Sequence, residues 1–115
     1  RYGLLNIFLI TPQTSEKRIR YMDSISKGFI YTVSSASTTG SQSGFGKNQT
    51  DYFKRIADLK LDNPQIIGFG ISDHETFSQA TQHAKGAIIG SAFIKHVTKH
   101  GVNNLKKFTD IILKK

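Results

Sequence analysis

Two short stretches, Gly68-Phe69-Gly70 and Gly90-Ser91, put glycines where an apolar run ends and a helical pattern begins. A glycine leaves the neighbouring backbone N–H groups open to a ligand, and the start of a helix attracts an anion through its dipole. Together the two stretches suit a phosphate. In β/α barrels the loops after the last two strands, with the N-terminus of a short extra helix, form the usual phosphate cradle. A lone G-x-G is weak and lacks the third glycine of a dinucleotide fingerprint. The plainer alternative is that these glycines only permit tight strand-to-helix turns.

Other residues add to this pattern. From Ser34 to Gly46 the chain is dense in serine, threonine and glycine, whereas its other connections are short. Such a segment is an active-site lid or a mere insertion. As a lid it would bring Gly40 toward the same phosphate and Thr39 to the pocket mouth. Tyr31 lies inside an apolar run, on the same face as Phe29. Its hydroxyl would need a partner in a barrel interior, either a carboxylate or a backbone group. His96 and His100 have a zinc-compatible spacing, but Lys95 and Lys99 flank them and no third ligand is near. Surface histidines and no metal site are expected. The acidic residues, from Glu16 to Asp110, all fall on helices, caps or loops. A general acid–base mechanism needs a titratable group at the pocket, and this chain by itself offers no good one.

Four apolar runs must position these groups: Leu4–Ile10, Phe29–Ser34, Gln65–Phe69 and Gly86–Ile89. Each is of strand length and apolar on both faces, as in parallel sheets covered by helices. Between them the period becomes helical. Thr14 or Ser15 caps a helix carrying Ile19, Met22 and Ile25, and Gly28 stops it. Thr50 is expected to cap a second helix with Phe53, Ile56 and Leu59, ended before Asn63-Pro64. Ser72-Asp73-His74-Glu75 reads as a capping box closed by Glu75, before a helix that turns Phe77, Ala80 and Ala84 inward. A short helix opens at Ser91, and a last one near Asn103–Leu113 aligns Leu105, Phe108 and Ile112. The resulting α/β plan is four βα units with parallel strands and right-handed crossovers. An open doubly wound sheet and a barrel segment both fit it.

Composition bounds the rest. The 115 residues make one ordinary domain, 1–115, with 37% hydrophobic content and no cysteine, so neither disulfides nor thiolate metal sites arise. No apolar run nears the roughly 20 residues of a membrane span. No signal peptide or anchor is read from the start, so no membrane association and a cytoplasmic location are expected. The charge of +8 comes from lysines and arginines spread over outer helix faces rather than one stripe. A basic field that recruits an anionic substrate is favoured over nucleic-acid binding.

At these residues the sequence resembles the C-terminal half of the tryptophan synthase alpha-subunit family, over nearly the whole chain. Asn6-Ile7-Phe8-Leu9-Ile10-Thr11-Pro12 resembles the fifth strand and its end, and Gly28-Phe29-Ile30-Tyr31-Thr32-Val33-Ser34 resembles the sixth. Gly68-Phe69-Gly70-Ile71-Ser72 and Gly90-Ser91-Ala92 resemble the seventh and eighth strand ends. The resemblance implies the last four βα units of a TIM (β/α)8 barrel. It implies cleavage of indole-3-glycerol phosphate to indole and glyceraldehyde 3-phosphate, a retro-aldol lyase step with no cofactor in this subunit. It also implies a pyridoxal-phosphate beta subunit as partner, in an α2β2 complex. By position, Gly40, Gly70, Gly90 and Ser91 would offer N–H groups to the substrate phosphate, and Leu9, Thr39, Phe69 and Ile88 would line the indole pocket. Tyr31 matches the family tyrosine that orients a catalytic aspartate.

Two departures accompany the resemblance. The family's catalytic glutamate and aspartate belong to the second and third strand regions, which this chain does not contain. The isolated chain is therefore expected to be inactive. Many relatives read Ser-Arg-x-Gly-Val-Thr-Gly where this chain has Ser34-Ser35-Ala36-Ser37-Thr38-Thr39-Gly40, a change that bears on lid closure and beta-subunit contacts. In a four-unit sheet the first and last strands are unpaired edges and the inner face is wet, so the chain alone is expected to self-associate.

Overall fold

The computed structural model describes residues 2–34 and 46–114. Strand β1 (Phe8–Ile10), β2 (Ile30–Val33), β3 (Gln65–Gly68) and β4 (Gly86–Ile88) form one sheet in the order β1-β2-β3-β4. All three pairings are parallel. Helices follow each strand in turn: α1 (Glu16–Ile25), α2 (Lys47–Asp58), α3 (His74–Thr81) and α4 (Ser91–His100). A 3-10 turn over Val102–Asn104 then leads into α5 (Leu105–Leu113).

The sheet has two unlike faces. Ile10, Ile30, Thr32 and Ile67 are fully buried, and the core beneath them is completed by Ile19 and Met22 of α1 and Tyr52, Phe53 and Ile56 of α2. Strand alternation turns the other residues away from the helices. The register aligns Leu9, Tyr31, Ile66 and Gly86 in one row and Val33, Gly68 and Ile88 in the next. This second face is open: Leu9 is 55% exposed. Only Phe8–Ile10 of the first apolar run pairs, because β1 has a neighbour on one side alone; Leu4 and Leu5 stand exposed.

Helix starts follow local chemistry, with two corrections to the expected caps. Ser15 caps α1, its Oγ accepting from the Arg18 N–H at 3.3 Å. Helix α2 begins one turn earlier than expected, at Lys47 with Gly46 as N-cap. Thr50 is not its cap: it sits inside the first turn and donates its hydroxyl to the Lys47 carbonyl at 3.0 Å. In α3 the capping box is Asp73 with Thr76, not Glu75. The Asp73 carboxylate takes the Thr76 N–H at 2.8 Å and outcompetes a serine at this end of the dipole, which moves the reciprocal position on by one. Ile25 is 47% exposed and does not join the core, and α4 runs ten residues rather than being short.

The surface is basic and its ion pairs are local. Arg20–Glu16, Lys54–Asp58 and Lys106–Asp110 are i,i+4 pairs on exposed helix faces, worth a few tenths of a kcal/mol each. A polar cluster is buried at the end of α1. The Asp23 carboxylate near the end of α1 accepts from the backbone N–H groups of Asp62 and Asn63, at 2.8 and 3.0 Å, and from the Asn63 side-chain amide at 2.8 Å. This fixes the chain entering β3. No helix among the described residues is long and apolar enough to cross a membrane.

Candidate functional site

The C-terminal ends of β2 and β3 are tied together by one buried residue. Ser34, 2% exposed, donates its N–H to the Gly68 carbonyl at 3.0 Å and its hydroxyl to the Phe69 carbonyl at 2.6 Å. Beyond that clamp the backbone turns through two successive left-handed residues, Phe69 (φ 71°) and Gly70 (φ 78°). Glycine takes this conformation freely, but for a phenylalanine it costs on the order of 1–2 kcal/mol. The turn leaves the Phe69 ring half exposed and edge-on to Tyr31, with centroids 6.1 Å apart.

Gly68 serves packing. The Tyr31 ring lies directly over it, and a Cβ built there would overlap the ring and its hydroxyl. The ring borders the open face, so it has room to yield. Gly68→Ala is expected to swing Tyr31 aside at about 1 kcal/mol in stability, checked by thermal melting. The Tyr31–Phe69 edge contact should disappear from aromatic NMR cross-peaks.

The end of β4 differs. Gly90 is the N-cap of α4 with no side-chain hydrogen bond to the first-turn N–H groups, and no acidic residue lies in that turn. Its φ of −114° suits any residue, and a Cβ there would meet nothing within 4 Å. Gly70 is a glycine because the backbone turn demands one. Neither backbone conformation nor packing among the described residues demands one at Gly90. Gly90 and Ser91 are both exposed, so the N-terminus of α4 faces solvent uncapped.

The expected site residues fall as follows. Leu9, Tyr31 and Ile88 lie on the open face, with Phe69 against Tyr31. Gly70 and Gly90-Ser91 stand at the C-terminal ends of the adjacent strands β3 and β4. Thr39 and Gly40 lie outside the described residues. Among the described residues the Tyr31 hydroxyl meets neither the carboxylate nor the backbone group expected for it. No Asp or Glu ends a described strand.

Sequence reasoning passed over two positioning groups. Ser34 is one, and its contacts lie 34 and 35 residues away. Tyr52 is the other: its hydroxyl donates to the Ile10 carbonyl at 3.3 Å and so holds the end of β1. Burial pushes the Tyr52 phenol well above its ordinary value of 10.0, against the opposing pull of Arg55. It therefore stays a donor at every physiological pH. Arg55 also donates to the Pro12 carbonyl at 3.2 Å and lies 5.7 Å over the Tyr52 ring. Neither tie leaves a local pattern in the chain.

Two of the histidines hold backbone carbonyls. His96 pairs through Nε2 with the Asn104 carbonyl at 3.0 Å and stacks on Phe108, and His74 pairs through Nδ1 with the Ile112 carbonyl at 2.9 Å. Among the described residues no three metal-ligating side chains converge. An apolar cavity of about 270 Å³ is lined by Ile89, Phe93, Phe108 and Ile112, between the start of α4 and α5.

Comparison with known proteins gives this arrangement its family. The family model for the tryptophan synthase alpha chain matches residues 1–114. The alpha chains of Flavobacterium johnsoniae and Christiangramia forsetii are each 67% identical over 108 residues, which is 94% of this chain. Those matches cover 43% and 42% of the relatives, so the chain spans about two fifths of their length. Among solved structures, a chain of the tryptophan synthase α2β2 complex from Pyrococcus furiosus superposes with a TM-score of 0.82 at 31% identity. It covers 98% of this chain and 47% of that one. A mutant alpha subunit from the same organism superposes at 0.79 with 30% identity, covering 98% of this chain and 46% of that one. The four parallel βα units are thus a half of the (β/α)8 barrel, and the open face is the one that lines a barrel's interior. With the family model matching residues 1–114 and a relative 67% identical over 94% of its length, the chain belongs to the tryptophan synthase alpha chains.

Proposed function

We propose that residues 1–115 form the substrate-holding half of an alpha subunit that splits indole-3-glycerol phosphate into indole and glyceraldehyde 3-phosphate. Gly70, Gly90 and Ser91 offer backbone N–H groups to the substrate phosphate, joined by Gly40, while the uncapped N-terminus of α4 supplies a favourable dipole. Leu9, Phe69 and Ile88, with Thr39, border the indole. The observation that carries this reading is Gly90. It is a glycine that neither its backbone nor its neighbours among the described residues require, at an uncapped helix start facing solvent.

The reaction breaks a carbon–carbon bond as a hydroxyl proton is removed and the indole ring carbon takes one up, so it needs an acid and a base. No cofactor is required for that step. This chain's role is binding and orientation: Tyr31 turns its hydroxyl toward a carboxylate supplied by the other half of the barrel. The assembled subunit works with the beta subunit in the cytoplasm.

Ser91→Asp separates the phosphate site from the fold. An aspartate in the first helical turn favours the dipole by about 0.3–1 kcal/mol, so the melting temperature should hold or rise. The same charge repels a phosphate, so binding of glycerol 3-phosphate, read by calorimetric titration, should weaken at least about tenfold. Unchanged binding would remove the phosphate from the start of α4.

A further inference from the structure

We propose that Ser34 is a positioning residue that sets both ends of the substrate site through a single hydroxyl, an inference that rests on the phosphate and indole reading above. Its Oγ holds the Phe69 carbonyl at 2.6 Å, and its N–H holds the Gly68 carbonyl at 3.0 Å. These are the carbonyls on either side of the Phe69 N–H, immediately before the turn that aims the Gly70 N–H. Phe69 sits at φ 71°, a conformation a phenylalanine leaves unless its surroundings over-determine it. Among the described residues the restraint on its outward side is slight: the ring is 52% exposed and meets Tyr31 edge-on. The restraint on its inward side is Ser34, which is 2% exposed and reaches across from β2.

Two consequences follow from that one contact. Fixing the Phe69 carbonyl fixes the peptide plane that carries the Gly70 N–H, the group assigned to the phosphate. Fixing Phe69 at positive φ also sends its ring to the open face beside Tyr31, where the indole lies. Loss of the hydroxyl frees Phe69 to relax to negative φ, which rotates the N–H away from the phosphate and withdraws the ring. Ser34 touches neither ligand and acts through Phe69.

The test compares the 115-residue chain with Ser34→Ala and Ser34→Thr. Each is ¹⁵N-labelled and titrated separately with inorganic phosphate and with indole. The parent should show phosphate-induced shifts at the Gly70, Gly90 and Ser91 amides. Ser34→Ala should weaken phosphate about five- to tenfold, the order expected for one lost hydrogen bond, and weaken indole as well. Its Phe69 amide coupling constant should move toward the negative-φ range, which a loss of stability alone would not produce. Ser34→Thr keeps the hydroxyl and should restore all three readouts. An alanine variant that keeps the parent's coupling constant and both affinities overturns the role of Ser34 while leaving the site standing. A parent without phosphate shifts at Gly70, Gly90 and Ser91 removes the site, and this role with it.

Discussion

Asp23→Ala is expected to lower the stability of this chain by about 3 kcal/mol, the sum of several charge-assisted hydrogen bonds less what solvent recovers. Asp23 is 8% exposed and joins α1 to the segment that enters β3. Removing its carboxylate leaves the N–H groups of Asp62 and Asn63 and the Asn63 amide without their acceptor, in a place water reaches poorly. The melting temperature should fall roughly 10–20 °C, since each kcal/mol shifts a domain of this size by several degrees.

The pH dependence of that loss has a definite sign. Burial by itself would raise the Asp23 pKa, but hydrogen bonds from the Asn63 side chain and from the backbone of Asp62 and Asn63, with Arg20 nearby, bring it below the ordinary 3.8. A carboxylate whose folded value lies below its unfolded one stabilises the fold at pH above the unfolded value. That contribution fades as pH falls through the folded value. The gap between parent and Asp23→Ala should therefore be full at neutral pH and shrink below about pH 4. A gap that persists undiminished at pH 2 would show that Asp23 acts through packing rather than charge.

The second large effect concerns the chain on its own. Strands β1 and β4 each have one neighbour, so both edges offer unpaired backbone groups. Around them Leu4, Leu5, Leu9 and Phe69 are more than half exposed. The isolated chain should associate with itself and bind an apolar dye. Sedimentation that showed a dye-free monomer across the micromolar range would contradict this. It should also be catalytically silent. No described strand end carries a carboxylate, and general acid–base catalysis supplies about 10²–10⁴ per group.

How much of this was legible in the chain depends on the range of the interaction. The four βα units were readable because strand and helix periods are local: Ile19 and Met22, Phe53 and Ile56, and Phe108 and Ile112 each recur at helical spacing and are buried. The turn at Gly68-Phe69-Gly70 was readable as a strand end, and so was the uncapped start at Gly90-Ser91. Cap identity was misread where two candidates competed, as at Ser72 and Asp73, because a one-residue shift moves the reciprocal partner from Glu75 to Thr76. Asp23 and Ser34 were illegible for a different reason. Their partners lie 39–40 and 34–35 residues away, and no spacing in the chain marks which helix aspartate or strand-end serine will find a distant carbonyl or N–H. Gly68 and Gly90 look alike as residues, yet only the fold shows that one makes room for Tyr31 and the other for nothing among the described residues.

The most direct test of the central claim is indole release from indole-3-glycerol phosphate. It is measured with the 115-residue chain alone and with the chain refolded beside the N-terminal half of the Flavobacterium johnsoniae alpha chain. The proposed function predicts no turnover from either part alone. The mixture should regain activity by a factor on the order of 10³ or more, and Ser91→Asp should sharply reduce it. Turnover by this chain alone, or a folded mixture that binds glycerol 3-phosphate yet releases no indole, would contradict it.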